Sequence, residues 1–155
     1  HDINPENIDL LDIQGTNPEN IVHGTNIDYL NLLDYLNNND ISDPAVQSGI
    51  EGWIDINSFM QYQAFQIFID NRDWPGNNIK FWRDHRTTGK WRWILYDTDF
   101  GFGIWDYGAF SFNTLAFVSL KGIGDEYNKE LLFGTVPSIV YLISAISFSE
   151  IIDKL

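Results

Sequence analysis

The chain has 155 residues, a formal net charge of −13 and no cysteine. This length fits one domain or part of one. The charge disfavours nucleic acid and anionic membrane as partners, and the lack of cysteine excludes disulfides and thiolate metal sites. No apolar run reaches roughly 18 residues, so no membrane-spanning helix is expected.

The first 25 residues are rich in Asn, Asp, Gly and Pro, and they predict an irregular lead-in of loops with at most a short strand.

Residues 26–71 predict helices. In the first of these, apolar residues recur at helical spacing from Ile27 to Leu36, and Asn26 is positioned to cap the helix. Asp43-Pro44 is typical of the start of a second, short helix.

A third helix is predicted to begin after Asp55, because Ile54 and Phe59 have the spacing of a hydrophobic staple around this cap. Apolar residues occupy much of its surface. One face contains Ile56, Phe59, Met60, Ala64, Ile67 and Phe68, and Phe65 and Ile69 add a second. A helix that is apolar on so many sides is expected to lie at the centre of the core.

Two segments rich in β-branched and aromatic residues, 79–83 and 91–97, predict an antiparallel hairpin. Gly89 lies in the connection, where a positive φ suits glycine. Residues 74–77 contain the Pro-Gly pair of a type II turn. Residues 104–155 predict a loop followed by helices, with Pro137 interrupting them. The predicted fold class is therefore α+β, mostly helical around a central hairpin.

Two acidic clusters flank the predicted hairpin. In the first, Asn78 follows Asp73 by five residues, and the second contains Asp97 and Asp99, followed by Phe and Gly. An Asp, an Asn five residues on, a strand pair and then Asp-Phe-Gly is the order of parts in a protein-kinase catalytic centre. If the second strand is extended to its end, Asp97 and Asp99 point to one face, and the hairpin returns them to Asn78.

This arrangement predicts a phosphoryl-transfer site. Asp73 is the candidate catalytic residue, and Asn78, Asp97 and Asp99 are candidate metal ligands, because Mg²⁺ prefers hard oxygen ligands and keeps several waters. The sequence leaves two alternatives open. Asp97-Thr98-Asp99 is also an Asp-x-Asp motif that could hold Mn²⁺ and a nucleotide sugar in a glycosyltransferase. It could equally form a structural Ca²⁺ site in a non-catalytic surface or scaffold module.

The positive charges are unevenly distributed. Residues 1–71 contain no Lys or Arg, whereas six of the nine cations lie between Arg72 and Arg92. One interpretation is a solvated hairpin face. The other is that Lys80, Arg83 and Arg92 neutralise the phosphates of a nucleotide.

At these residues the chain resembles the CotH kinase family. The resemblance extends over roughly residues 25–120. It is carried by Ile41-Ser42-Asp43-Pro44-Ala45, Ile54-Asp55-Ile56-Asn57-Ser58-Phe59, Asp73-Trp74-Pro75-Gly76-Asn77-Asn78-Ile79-Lys80-Phe81-Trp82-Arg83, Lys90-Trp91-Arg92-Trp93-Ile94-Leu95-Tyr96-Asp97-Thr98-Asp99-Phe100-Gly101-Phe102-Gly103 and Asn113-Thr114-Leu115-Ala116-Phe117.

The resemblance implies an atypical, secretory-type protein-kinase fold that uses ATP and a divalent ion (Mg²⁺, with Mn²⁺ or Ca²⁺ as alternatives) to phosphorylate Ser on secreted, surface or spore-coat proteins. It implies an extracellular, cell-surface or spore-coat location. By motif match, Asp73 takes the catalytic role, Asp97 and Asp99 bind the metal, and Asn78 assists. Which of Asp97 and Asp99 is the main ligand stays open. The amino-terminal lobe of such a kinase, with its phosphate-binding Lys, is expected to be missing from this chain.

Overall fold

A computed structural model describes residues 4–14, 17–40, 43–74, 77–86, 89–105, 107–112 and 114. Within these ranges it contains helices α1 (Ile27–Asn38), α2 (Pro44–Trp53) and α3 (Ile56–Phe68), strands β1 (Ile8–Gln14), β2 (Asn17–His23), β3 (Ile79–Asp84) and β4 (Arg92–Ile94), and short 3₁₀ turns at Pro5–Asn7 and Ala109–Ser111. The predicted α+β class is confirmed. The Pro-Gly turn at 75–76 and the predicted carboxy-terminal helices lie outside the described residues.

The four strands form one antiparallel sheet in the order β2-β1-β3-β4. The predicted hairpin is confirmed as β3 and β4, and Gly89 in its connection has a φ of +63°. The second strand is shorter than predicted, because it ends at Ile94. No described helix is long and apolar enough to cross a membrane.

The prediction of an irregular lead-in over residues 1–25 is wrong for β1 and β2. β1 pairs with β3 in antiparallel register, with Asp9 opposite Arg83 and Asp12 opposite Lys80. Opposite charges directly across an antiparallel pair stabilise it. The acidic residues that made this segment resemble a loop are therefore cross-strand partners of cations located some 70 residues later in the sequence.

The helix starts follow the sequence closely. The Asp43 side chain accepts a hydrogen bond from the Ala45 amide (2.8 Å), with Pro44 at the first helical position. The Asp55 side chain caps α3 by accepting one from the Ser58 amide (3.1 Å). Asn26 precedes α1 as predicted, but its side chain makes no capping hydrogen bond.

Helix α3 places only part of the predicted apolar face in the core: Phe59 is buried, and Ile56, Met60 and Ile67 pack against the core. Its buried residues are Phe59, Tyr62, Gln63 and Gln66. Phe65 and Phe68 are exposed, Phe68 by 78%. The apolar residues of α3 therefore do not all face the core, and two glutamines take buried positions instead. The next subsection gives the reason for Gln66.

Aromatic rings join the helices to the sheet. Tyr29 of α1 contacts Phe81 of β3, with ring centroids 4.8 Å apart, and Phe59 of α3 contacts Trp93 of β4 at 4.9 Å. Trp91 is fully buried and packs edge-on against Phe81 at 5.4 Å. The start of α3 is therefore fixed beside β4, where Arg92 forms an ion pair with Asp55 (2.9 Å).

Replacing Asp55 by Ala is expected to lower the free energy of unfolding by about 1–2 kcal/mol, because the change removes the cap of α3. Urea denaturation at pH 7 measures this. Asp34→Ala is the matched control, because Asp34 lies on the exposed side of α1 and accepts its hydrogen bonds from Asn38, four residues away in the same helix. It should change stability by less than about 0.5 kcal/mol. An unchanged urea midpoint for Asp55→Ala would contradict the capping role.

The stabilisation by Asp55 should also depend on pH. Partial burial raises the pKa of Asp55, but the Ser58 amide and the Arg92 guanidinium outweigh this effect and lower it below the ordinary value of 3.8. A carboxyl group with a lowered pKa stabilises the fold above its unfolded-state pKa. The stability difference between wild type and Asp55→Ala should thus be full at neutral pH and shrink as the pH falls below about 4.

Candidate active site

The loop after α3 is tied to the helix by Asn71. Its side-chain amide donates to Oε1 of Gln66 (2.8 Å), and its side-chain oxygen accepts from the backbone amide of Asp73 (3.0 Å). Both Gln66 and Asn71 are almost completely buried, at 0% and 1% exposure. A buried polar side chain is stable only when it is hydrogen-bonded. The buried Oε1 of Gln66 is thus satisfied by Asn71, and this bond positions the loop that carries Asp73.

Two amide side chains hold the Asp73 carboxylate. Oδ2 of Asp73 accepts hydrogen bonds from Nδ2 of Asn77 (3.0 Å) and from Nδ2 of Asn78 (2.6 Å). Asn78 is buried, has a φ of +55°, and its carbonyl accepts a bond from the Tyr62 hydroxyl (3.5 Å). The five-residue spacing of the sequence therefore corresponds to a direct contact that orients the carboxylate.

The predicted extended geometry at Asp97 is wrong. Residues 95–98 follow the end of β4 without strand pairing, and Asp97 has a φ of +51°. The carboxylates nevertheless meet. A hydrogen bond with Asp99 raises the pKa of Asp97, desolvation and the charges of Asp99 and Asp73 add to the rise, and Lys80 opposes it. The structure thus joins Asp73 to Asn78 and Asp97 to Asp99, and the charge of Asp73 acts on Asp97. We call these four residues the acidic cluster.

Lys80 lies beside the acidic cluster, in a set of contacts that the sequence did not predict. Its Nζ is 3.5 Å from Oδ2 of Asp12 and 4.1 Å from the centre of the Tyr96 ring. The Tyr96 hydroxyl donates to Oδ1 of Asp12 (2.7 Å). Burial raises the pKa of Tyr96, and the neighbouring Asp12 raises it further. In the sequence, the sign of a role for Asp12 is its position in a strand. The Asn-, Asp-, Gly- and Pro-rich composition of the first 25 residues hid that strand.

The other two predicted phosphate ligands lie in scaffold ion pairs. Arg83 is buried between Asp9 (3.6 Å) and Asp28 (3.0 Å). The 3.6 Å separation is longer than a hydrogen bond, so this contact is electrostatic. Arg92 pairs with Asp55 at the start of α3. With 13 residues, α3 is about 20 Å long, which separates Arg92 from the loop that follows the helix.

The Asp-Phe-Gly segment packs directly on the end of α3. A Cβ added to Gly101 would lie 2.9 Å from Cδ1 of Ile69 and 3.0 Å from the carbonyl oxygen of Thr98, so a side chain here would require these groups to shift. The amide of Arg72 donates to the carbonyl of Phe100 (3.4 Å). This hydrogen bond links the loop that carries Asp73 to the segment that carries Asp99.

A second set of contacts next to Asp73 was also missed by the sequence. Asp70, which has a φ of +52°, forms an ion pair with Nε of Arg72 (3.0 Å) and accepts a hydrogen bond from the Thr114 hydroxyl. The Arg72 guanidinium lies 3.4 Å from the centre of the Phe112 ring. These contacts attach the segment after Asp-Phe-Gly to the loop that carries Asp73.

The donor set of the acidic cluster is suited to a small, hard cation. Within the part of the chain that the structure describes, no three Asp, Glu, His or Cys side chains form a metal-binding group. The cluster offers two neighbouring carboxylates, Asp97 and Asp99, and the amide of Asn78. Mg²⁺ keeps several of its waters, so two or three protein oxygens are enough to hold it. Two adjacent carboxylates favour either a shared proton or a cation.

The comparisons with known proteins give one match. A family model described as CotH kinase protein matches residues 4–146. This range includes all the described helices and strands and the whole acidic cluster. No curated protein and no solved structure matches the chain.

Replacing Asn71 by Ala is expected to lower the free energy of unfolding by about 1–3 kcal/mol, because the buried amide of Gln66 loses its partner and the Asp73 loop loses its tie to α3. Urea denaturation measures the change. Asn38→Ala provides the control, because the Asn38 side chain bonds Asp34 on the exposed surface of α1. If the two variants unfold at the same urea concentration, Asn71 does not have this role.

Proposed function

Because the chain belongs to the CotH kinase family, we propose that it carries the catalytic residues of a protein kinase that phosphorylates Ser side chains of secreted, cell-surface or spore-coat proteins. The phosphoryl donor in this proposal is ATP with a divalent cation. The observation that carries the proposal is the carboxylate of Asp73, which two amides orient beside the Asp97–Asp99 pair.

In the proposed reaction, Asp73 orients the acceptor and takes up its proton. Both amides bind Oδ2 of Asp73, so Oδ1 is the oxygen proposed to accept the hydrogen bond of the Ser hydroxyl. The Ser oxygen forms a bond to the γ-phosphorus, the bond from this phosphorus to the oxygen of ADP breaks, and the Ser proton moves to Asp73. Because Asn77 and Asn78 fix the carboxylate before the substrate arrives, little reorganisation is needed.

Asp97 and Asp99 are the proposed metal ligands, with the Asn78 amide oxygen as a third. Mg²⁺ held there would neutralise phosphate charge. Lys80 is the proposed phosphate-binding cation of this chain, because it follows Asn78 by two residues and its charge acts on Asp97, whereas the ion pairs of Arg83 and Arg92 are part of the scaffold. Residues 1–71 contain no Lys or Arg, so any further cationic contact to the phosphates is expected from outside that range.

Replacing Asp73 by Asn in the full-length protein should reduce ³²P transfer from ATP by about 100-fold or more, because the amide cannot accept the Ser proton. The shape of the side chain and its acceptor oxygen are kept, so the loop should stay folded. Asp34→Asn removes the same charge from the exposed side of α1 and should leave transfer unchanged. Transfer by Asp73→Asn at the wild-type rate would remove Asp73 from the catalytic role.

Thermal melts should separate the three classes of protein that the acidic cluster permits. For the kinase, Mg²⁺ stabilises the fold and ATP adds to this. At a ligand concentration 100 times the dissociation constant, the gain is about 2.7 kcal/mol. The double variant Asp97→Asn/Asp99→Asn should lose both effects. Stabilisation by Ca²⁺ with none from nucleotide would favour the non-catalytic module, and stabilisation by Mn²⁺ with UDP-sugar but not ATP would favour the glycosyltransferase.

A further inference from the structure

Asp12 connects the sheet to both halves of the acidic cluster. Its Oδ1 accepts the hydrogen bond of the Tyr96 hydroxyl (2.7 Å), and its Oδ2 lies 3.5 Å from Nζ of Lys80. Tyr96 directly precedes Asp97, and Lys80 follows Asn78 by two residues. The Asp12 side chain is 11% exposed, so these contacts form in a site largely shielded from water. One carboxylate of β1 thus reaches the two chain segments that carry the proposed metal ligands.

The segment at Asp97 needs such an anchor. Asp97 has a φ of +51°, a left-handed conformation that is uncommon for residues other than glycine, Asn and Asp and that neighbouring contacts help to hold. β4 ends at Ile94, so the pairing of the sheet does not extend to Asp97. The Tyr96 side chain is the nearest anchor on the amino-terminal side, and Asp12 fixes its hydroxyl. On the other side, the hydrogen bond with Asp99 completes the constraint.

We propose that Asp12 is a positioning residue, which holds Asp97 in its metal-binding orientation through the hydroxyl of Tyr96. Asp12 itself touches neither metal nor substrate. This inference rests on the proposed function, because it assigns a role in the same cation site. It differs from a purely electrostatic role, in which Asp12 would attract the cation by its charge alone.

The test is the affinity of the intact protein for Mn²⁺, measured by titration with detection of free Mn²⁺ by electron paramagnetic resonance. Tyr96→Phe removes only the hydroxyl and should weaken Mn²⁺ binding by about three- to ten-fold, the equivalent of one hydrogen bond. Asp12→Ala should weaken it equally, and the double variant should be no weaker than either single change, because both break one link. Tyr35→Phe is the matched control. It removes a hydroxyl that donates to the Val46 carbonyl (3.5 Å) and lies against Gly49 in the helical region.

Asp12→Asn separates positioning from charge. Asparagine keeps an acceptor oxygen for Tyr96 but loses the negative charge, so positioning predicts Mn²⁺ affinity within about two-fold of wild type. It also keeps the size of the side chain, so this variant and Tyr96→Phe carry the test if Asp12→Ala does not fold. A second readout is phosphoryl transfer by Tyr96→Phe at rising Mn²⁺. Saturating Mn²⁺ should restore the turnover number, because a high Mn²⁺ concentration fills the cation site even when the shifted Asp97 binds the ion more weakly.

Three results would overturn the inference. Tyr96→Phe could bind Mn²⁺ as tightly as wild type, which ends the positioning role while leaving the cation site intact. Asp12→Asn could be as weak as Asp12→Ala, which assigns the effect to charge. Wild type itself could fail to bind Mn²⁺, which removes the proposed cation site and the inference together. The first two leave the effects of Asp73→Asn and Asp97→Asn/Asp99→Asn unaltered, so failure of the inference and failure of the proposed function are distinguishable.

Discussion

The antiparallel pairing of β1 with β3 is the interaction on which the rest of the structure depends. Residues 1–71 contain acidic residues but no Lys or Arg, and the cations begin at Arg72. The register of the two strands places Asp9 opposite Arg83 and Asp12 opposite Lys80. A largely buried charge is tolerated only with a partner. The pairing gives the acidic residues of β1 and the cations of β3 opposite-charge partners. It also fixes β3, which directly follows Asn78 and pairs with β4, the strand that precedes Asp97 and Asp99.

Helix α3 is the second organising element, because one end attaches it to the sheet and the other end positions the loop of Asp73. At its start, Asp55 binds Arg92 of β4 and so attaches the helix to the sheet. At its end, Gln66 holds Asn71, which in turn holds the amide of Asp73. This use explains why the buried face of α3 contains glutamine while Phe68 remains exposed. The helix gives up apolar burial at these positions to fix the geometry of a polar loop.

Whether the surroundings of a candidate site residue can be predicted depends on how far apart along the chain the interacting residues lie. The contact of Asp73 with Asn78 is local, and it joins two residues that their spacing in the sequence had assigned to one candidate site. The position of Arg83, paired with Asp9 and Asp28, has a simple geometric cause. Side chains alternate along a strand, so Arg83, three residues after Lys80, faces the opposite side of β3. Lys80 therefore lies beside the acidic cluster, whereas Arg83 lies in the core.

The sequence by itself determined the caps of α2 and α3, the hairpin, the α+β class and the grouping of Asp73 with Asn78, because each depends on residues within a few positions or on one short turn. Only the tertiary structure decided which cation adjoins the acidic cluster, that β1 belongs to the sheet, and that Asp97 adopts a left-handed conformation. Each of these depends on a contact between distant parts of the chain: Lys80 with Asp12, β1 with β3, and Tyr96 with Asp12 across 84 positions. No local pattern encodes such contacts, because their partners meet only after the sheet has formed.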